Sequence, residues 1–435
     1  MSNSLRSHMN AVCIKLFLPV LLLVHTGQST GQDISDDPGF KKGDIKSVRL
    51  HREEWNLSYP VITLGSGEKL VLHFDLLGDN DETYYYTFMH CDKDWNPSGV
   101  FESEYLQGFV ENRVEDYDMS FNTTVNYTHY SLSFPNSDVS FKISGNYIIS
   151  VYPFGEPDRP VVTKRFMVSE DEASVDASTV RSKLTDFYLT GQQLDFSVDH
   201  SGLNLQNPYN YVYSTILKNG RWDNARTNLK PAFTGNNRLD YNSLSDIGVF
   251  PGGSEYRYFD IRSLRYQTEY VRKIENINGY YHVLLKESDN RAARGYFYHQ
   301  DFNGKYYIDH QEGIDPHTDA DYVYVYFTLP AAFPLDRDVY VFGELTDWEF
   351  SERNRMAYNT ETHSYECRLL LKQGWYNYIY AVPDDRPGAS VFNEFEGDHY
   401  ETENDYIILV YYRDPGGRYD RLIGHHIHNN SGNRP

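Results

Sequence analysis

Cysteine is scarce, at three in 435 residues. Cys13 belongs to the N-terminal segment, which leaves Cys91 and Cys367 to the rest of the chain. Neither lies in a CxxC pair or a metal-ligand spacing, so two buried free thiols are expected rather than a disulfide framework. Long apolar runs are missing as well. The nearest approach, 16–24, is too short to cross a bilayer, and no membrane span is expected. Basic residues are outnumbered, with 40 Lys and Arg against 62 Asp and Glu and a formal net charge of −22. Nucleic acid and anionic bilayer surfaces would repel such a chain, and no nucleic-acid partner is expected. A Gly-rich phosphate loop, a nucleophile elbow and an HExxH helix are all absent. Acidic pairs such as Asp75 and Glu82 are commonplace at this acidity and indicate no hydrolase. The expectation is no catalytic residue, no cofactor, no metal and no small-molecule ligand.

The N-terminus carries Arg6 and Lys15, no acidic residue before Asp33, an apolar run over 16–24, and small or polar residues over 26–31. That order predicts a cleaved secretory signal peptide at 1–31. No cysteine follows the run closely, so a lipid anchor is not expected.

What the chain has in abundance is aromatic residues, 39 Tyr, 24 Phe and 5 Trp. Tyrosine suits a half-buried strand, with its ring packed and its hydroxyl at water. Alternating or β-rich stretches predict strands at 71–76, 84–88, 127–134 and 147–152. Others follow at 194–198, 211–217, 256–261, 280–285 and 295–298. Asn219-Gly220 and Asn303-Gly304 are hairpin-turn dipeptides. Residues 321–327 place Tyr322, Tyr324 and Tyr326 on one face and Val323, Val325 and Phe327 on the other. Strands at 339–342, 365–371, 375–382 and 406–412 complete the series.

Turn signals at short intervals with almost no helical periodicity predict an all-β chain of three serial immunoglobulin-like or early-set β-sandwiches. Their expected bounds are 43–169, 176–313 and 318–424, with an acidic linker over 169–174 and a polar, frayed tail at 425–435. A single outer-membrane barrel is not expected. The strands are short, the loops acidic, and the C-terminus makes a poor closing strand.

Chemistry concentrates weakly. The loop His90-Cys91-Asp92-Lys93-Asp94-Trp95-Asn96-Pro97 reads as a self-bonded turn, since adjacent residues seldom converge on one ion. His129 lies in an alternating strand and reads as structural. His425, His426 and His428 sit in the tail, where affinity for metal is incidental.

The first unit carries Ile45-Lys46-Ser47-Val48, Trp55, Ser58-Tyr59-Pro60 and Leu70-Val71-Leu72-His73-Phe74-Asp75. It continues through His90 to Trp95, Tyr105-Leu106-Gln107-Gly108-Phe109, Asp116-Tyr117-Asp118-Met119-Ser120-Phe121-Asn122-Thr123, Tyr127-Thr128-His129-Tyr130 and Gly145-Asn146-Tyr147. In the order and spacing of these pieces the unit resembles the plug protein family of the type IX secretion system. Glu255 to Arg262 resembles the family in the second unit. The resemblance implies a non-catalytic periplasmic protein of Bacteroidetes at the inner side of the outer membrane. Its implied partner is the giant outer-membrane β-barrel translocon, whose periplasmic mouth it occludes when no substrate is engaged. Asp94, Trp95, Asp116, Tyr117 and Phe121 fall where the likeness is densest and are the candidate partner contacts. The third unit is similar to glycogen-binding early-set modules at Val339 to Gly343, Trp348 and Gly374 to Tyr378. That likeness implies the alternative of a periplasmic glycan-binding protein, in which Trp348 and Trp375 would form an open aromatic platform.

Overall fold

The computed structural model describes residues 44–79, 81–242, 248–383 and 394–433, and the expected signal peptide lies outside them. Strands dominate and assemble into layered sheets, the all-β sandwich class that the alternation implies. In the first sandwich one sheet runs Ile45–Arg52, Leu70–Leu77, Tyr127–Phe134, Asp116–Met119. The facing sheet runs Val61–Thr63, Val162–Ser169, Gly145–Pro153, Tyr84–Cys91, Glu111–Arg113. Between them Phe74 stacks on Tyr130 at 4.9 Å, and Phe88, Tyr147 and Phe166 fill the rest. Each buried Phe contributes roughly 1.5–3 kcal/mol through removal from water. The tyrosines do this without stranding their hydroxyls. Tyr147 donates to the Ile143 carbonyl, and Tyr130 to that of Glu82, each at 2.8 Å.

Two boundaries differ from the sequence expectation. The second sandwich pairs Ser174–Arg181, Gly191–Asp199, Arg238–Asp240 and Phe233–Gly235 in one sheet. Its other sheet runs Arg226–Leu229, Val212–Lys218, Asp405–Tyr412, Arg421–Asn429, so C-terminal strands complete it. The third sandwich is inserted between these pieces. Arg257–Asp260, Gly374–Ala381 and Tyr306–Ile308 form one of its sheets. Val271–Ile277, Tyr280–Leu285, Tyr322–Pro330, Ser364–Lys372 and Ala357–Asn359 form the other. Strand alternation shows which face of a segment is apolar but not which distant segment covers it. The expected break at 313–318 therefore falls inside the third sandwich's own sheets.

The segment 425–435, expected to be a frayed tail, begins as strand. Ile427 and His428 pair with Ile407 and Tyr406, and the ladder runs to Asn429. The expected linker at 169–174 is pinned rather than free, because the Glu170 and Ala173 amides donate to the Leu422 and Ile423 carbonyls at 2.9 Å. Residues 295–298 form no strand. Tyr296 instead donates to the Glu255 carboxylate at 2.6 Å. Asn219-Gly220 adopts the positive φ values of a tight turn, 56° and 70°, yet the next strand begins only at Arg226.

Candidate functional site

The five sequence-selected residues fall in two separate places. Asp94 and Trp95 follow the strand Tyr84–Cys91, in a loop that bonds to itself. Asp92 Oδ1 accepts from the Asp94 and Asn96 amides, both at 2.9 Å. Asp94 Oδ1 accepts from Asn228 Nδ2 of the second sandwich at 2.9 Å. Trp95 meets Trp222 edge-on at 4.9 Å, with Arg165 over its ring at 4.7 Å. Both residues thus join two sandwiches of the same chain.

Asp116, Tyr117 and Phe121 belong to the other place, the terminal strand of the first sheet. All four residues of Asp116–Met119 are exposed, Phe121 is 73% exposed and Met119 58%. Phe109, just before Glu111–Arg113, the end strand of the facing sheet, is 71% exposed. A free strand edge with apolar side chains invites pairing, and Asp116 and Asp118 limit it through charge. The Phe121 amide donates to the Thr318 carbonyl at 3.0 Å, which leaves its ring outward.

The buried seams between sandwiches carry the polar groups that the sequence reading passed over. In Leu70–Leu77, Leu70, Leu72, Phe74 and Leu76 enter the first core while His73 and Asp75 point away. That outward face is nonetheless buried, because the third sandwich lays its tyrosine face against it. Tyr322, Tyr324 and Leu370 pack there on Leu77 and Tyr127. Asp75 then accepts from Lys372 Nζ at 2.7 Å, from Tyr322 OH at 2.7 Å and from His129 Nδ1 at 2.6 Å. Burial alone would raise the Asp75 carboxyl, but Lys372 and His129 override it and hold it well below the ordinary carboxylate range. Burial conversely lowers Lys372 to about 8.

Beside this pair, His73 Nδ1 lies 3.2 Å from His129 Nε2. His317 stacks on His73 at 4.7 Å, and His51 stacks on the same ring at 5.3 Å. Burial pushes His73 far below, and His317 and His51 down to about 4. The thiols behave likewise, with burial raising Cys91 to about 11 and Cys367 to about 12. Both cysteines are free.

Where the chain passes from the second sandwich to the third and back, the two crossings are clasped together. Asn404 Nδ2 donates to the Gly252 carbonyl at 2.9 Å, and the Gly253 amide to Asp398 at 2.6 Å. A Cβ at Gly252 would stand 1.9 Å from the His399 carbonyl oxygen, so only glycine permits the crossing. Lys218 donates to the Pro251 and Gly252 carbonyls at 2.5 and 2.6 Å, and burial lowers its ammonium to about 7. The folded protein sheds this proton where the unfolded chain still holds it. Stability should therefore rise between about pH 7 and 10, by up to ~1.4 kcal/mol per pH unit from this group. Urea midpoints measured across that window should show the rise, and Lys218→Met should flatten it.

Residues 45–170 match the family described as type 9 secretion system plug protein 1st domain. A hypothetical protein from Parabacteroides merdae, known from its crystal structure, is 36% identical with a TM-score of 0.85. The match covers 90% of this chain and 99% of that one. A Pseudomonas fluorescens alkylpurine DNA glycosylase bound to abasic-site DNA is 10% identical, with a TM-score of 0.16 over 29% of this chain and 30% of that one. At that score it carries no argument. No curated protein matches the chain.

Proposed function

The chain belongs to the type IX secretion system plug protein family, and from that premise we propose that it is the non-catalytic plug of the translocon. In this reading it sits in the periplasm against the inner side of the outer membrane. There it occludes the mouth of the giant β-barrel while no substrate is engaged.

The observation that supports the reading is the way the three sandwiches are locked together. Beads on flexible linkers would fluctuate and leak. Here one sandwich is inserted into another, and the first is sealed to both through buried ion pairs and ring stacks. The described residues accordingly fall within one compact unit. A single unit of roughly 400 residues has a radius of gyration of ~21 Å. That is a scale suited to the lumen of a barrel of very high strand number, in a class reaching about 36 strands. The free edge at Asp116–Met119, with Phe121 and Phe109, supplies the aromatic anchors of a reversible interface.

The contacts of the two tryptophans weigh against the sugar-binding alternative. Trp348 packs against Tyr256 and Phe342, with Arg221 over its ring at 5.3 Å. Trp375 stacks face to face on Tyr258 at 4.9 Å. Both tryptophans are half-buried against their own chain. The test of the plug reading is affinity purification from the native envelope under gentle conditions. The giant barrel should come down with this chain, and its absence would refute the assignment.

A further inference from the structure

We propose that His73, His129 and His317 form a site for a divalent transition-metal ion of the zinc class, fastening the third sandwich to the first. The three come from two sandwiches, two from neighbouring strands and the third from the turn before Tyr322–Pro330. Their candidate ligand atoms all lie within 4.8 Å of one another. His73 Nδ1 and His129 Nε2 share a hydrogen bond at 3.2 Å, a separation that an ion could bridge instead, since it matches the ~3.3 Å edge of a tetrahedron with metal–nitrogen bonds of ~2.0–2.1 Å.

Tautomers favour ligation as well. His129 Nδ1 donates to the Asp75 carboxylate, which puts the lone pair on Nε2, facing the cluster. A carboxylate behind a histidine in this manner orients a metal ligand and raises its basicity. His317 Nδ1 is buried with no hydrogen-bond partner among the described residues, which leaves a nitrogen of the third ring uncommitted.

Two cations oppose the site. Arg49 is the cross-strand neighbour of His73, and Lys372 shares Asp75. Three ligands beside these charges should bind more weakly than a closed four-ligand structural site, with water or a small anion in the fourth position.

The full chain, stripped with chelator, is titrated with Zn²⁺ by calorimetry and with Co²⁺ by visible spectroscopy. One ion per chain, a tetrahedral Co²⁺ spectrum and a Zn²⁺-dependent rise in melting temperature are expected. His317→Gln lies on a turn and leaves both sheets intact. It should weaken binding by at least ~10-fold, the lower end of the loss seen for altered metal shells. Should that variant fail to fold, His73→Gln serves the same purpose. His426→Gln with His428→Gln controls for the histidines of the last strand and should change nothing. No stoichiometric binding, or binding that survives loss of His317 and disappears with His426 and His428, would overturn the proposal.

Discussion

Asp75→Asn should lower the stability of the protein by about 3–5 kcal/mol, the cost of leaving one member of a buried ion pair uncompensated. The substitution keeps the side chain's shape and removes its charge. Lys372, 2% exposed at its side chain, must then either hold an ammonium with no carboxylate against it or give up its proton. His129 and Tyr322 lose a charged acceptor at the same time. The loss should be smaller above about pH 8, because a Lys372 deprived of Asp75 sheds its proton more readily still. Asp75→Leu combined with Lys372→Met should recover much of the stability, since an apolar pair of similar volume avoids the desolvation of both charges. Urea unfolding measures both. Hydrogen exchange should locate the first loosening in Tyr322–Pro330, where the third sandwich rests on the first. A loss below 1 kcal/mol would show that the seam does not depend on this pair.

The second large effect concerns the free edge. Met119→Asp with Phe121→Asp replaces two exposed apolar side chains, so stability should stay within about 0.5 kcal/mol of the parent. Association with the barrel should fall by roughly 30-fold or more, if the two side chains are anchors worth about 2 kcal/mol between them. The reciprocal control is Trp95→Ala. It should lower stability through the lost contacts with Trp222 and Arg165 while leaving a folded protein's association unchanged. Unchanged association in the edge variant would move the docking surface elsewhere on the molecule.

Much of the strand content was legible because period-two alternation survives in the sequence. The stretch from Tyr322 to Phe327 shows it most clearly. The tyrosine face packs toward the first sandwich and Val323, Val325 and Phe327 into the third core. Pairing was not legible, since the apolar strand Asp405–Tyr412 names no neighbour. It sends Tyr406, Ile408 and Val410 into the second core and Ile407, Leu409 and Tyr411 toward the first sandwich. A strand buried on both faces by two different sandwiches signals only that it is apolar throughout. His73 and Asp75 were passed over for the opposite reason, while His129 was read only as structural. Their alternation with leucine and phenylalanine reads as an ordinary solvent face, and only the docking of another sandwich buries it. One signal was present, because Lys372 ends an apolar run and opposes Tyr322 in a strand otherwise read as core. The candidate contacts divided in the same way. Resemblance marked Asp94 and Trp95 alongside Asp116, Tyr117 and Phe121, but similarity along a sequence does not distinguish a residue facing its own chain from one facing outward.

Envelope permeability tests the plug account most directly. Influx of a bulky dye or large antibiotic is compared in cells with the chain, without it, and with it restored. An occluding body locked as one unit predicts that deletion admits these molecules and restoration excludes them again. The edge variant Met119→Asp with Phe121→Asp should restore exclusion poorly. Unchanged influx on deletion, with the giant barrel present in normal amount, would contradict the account.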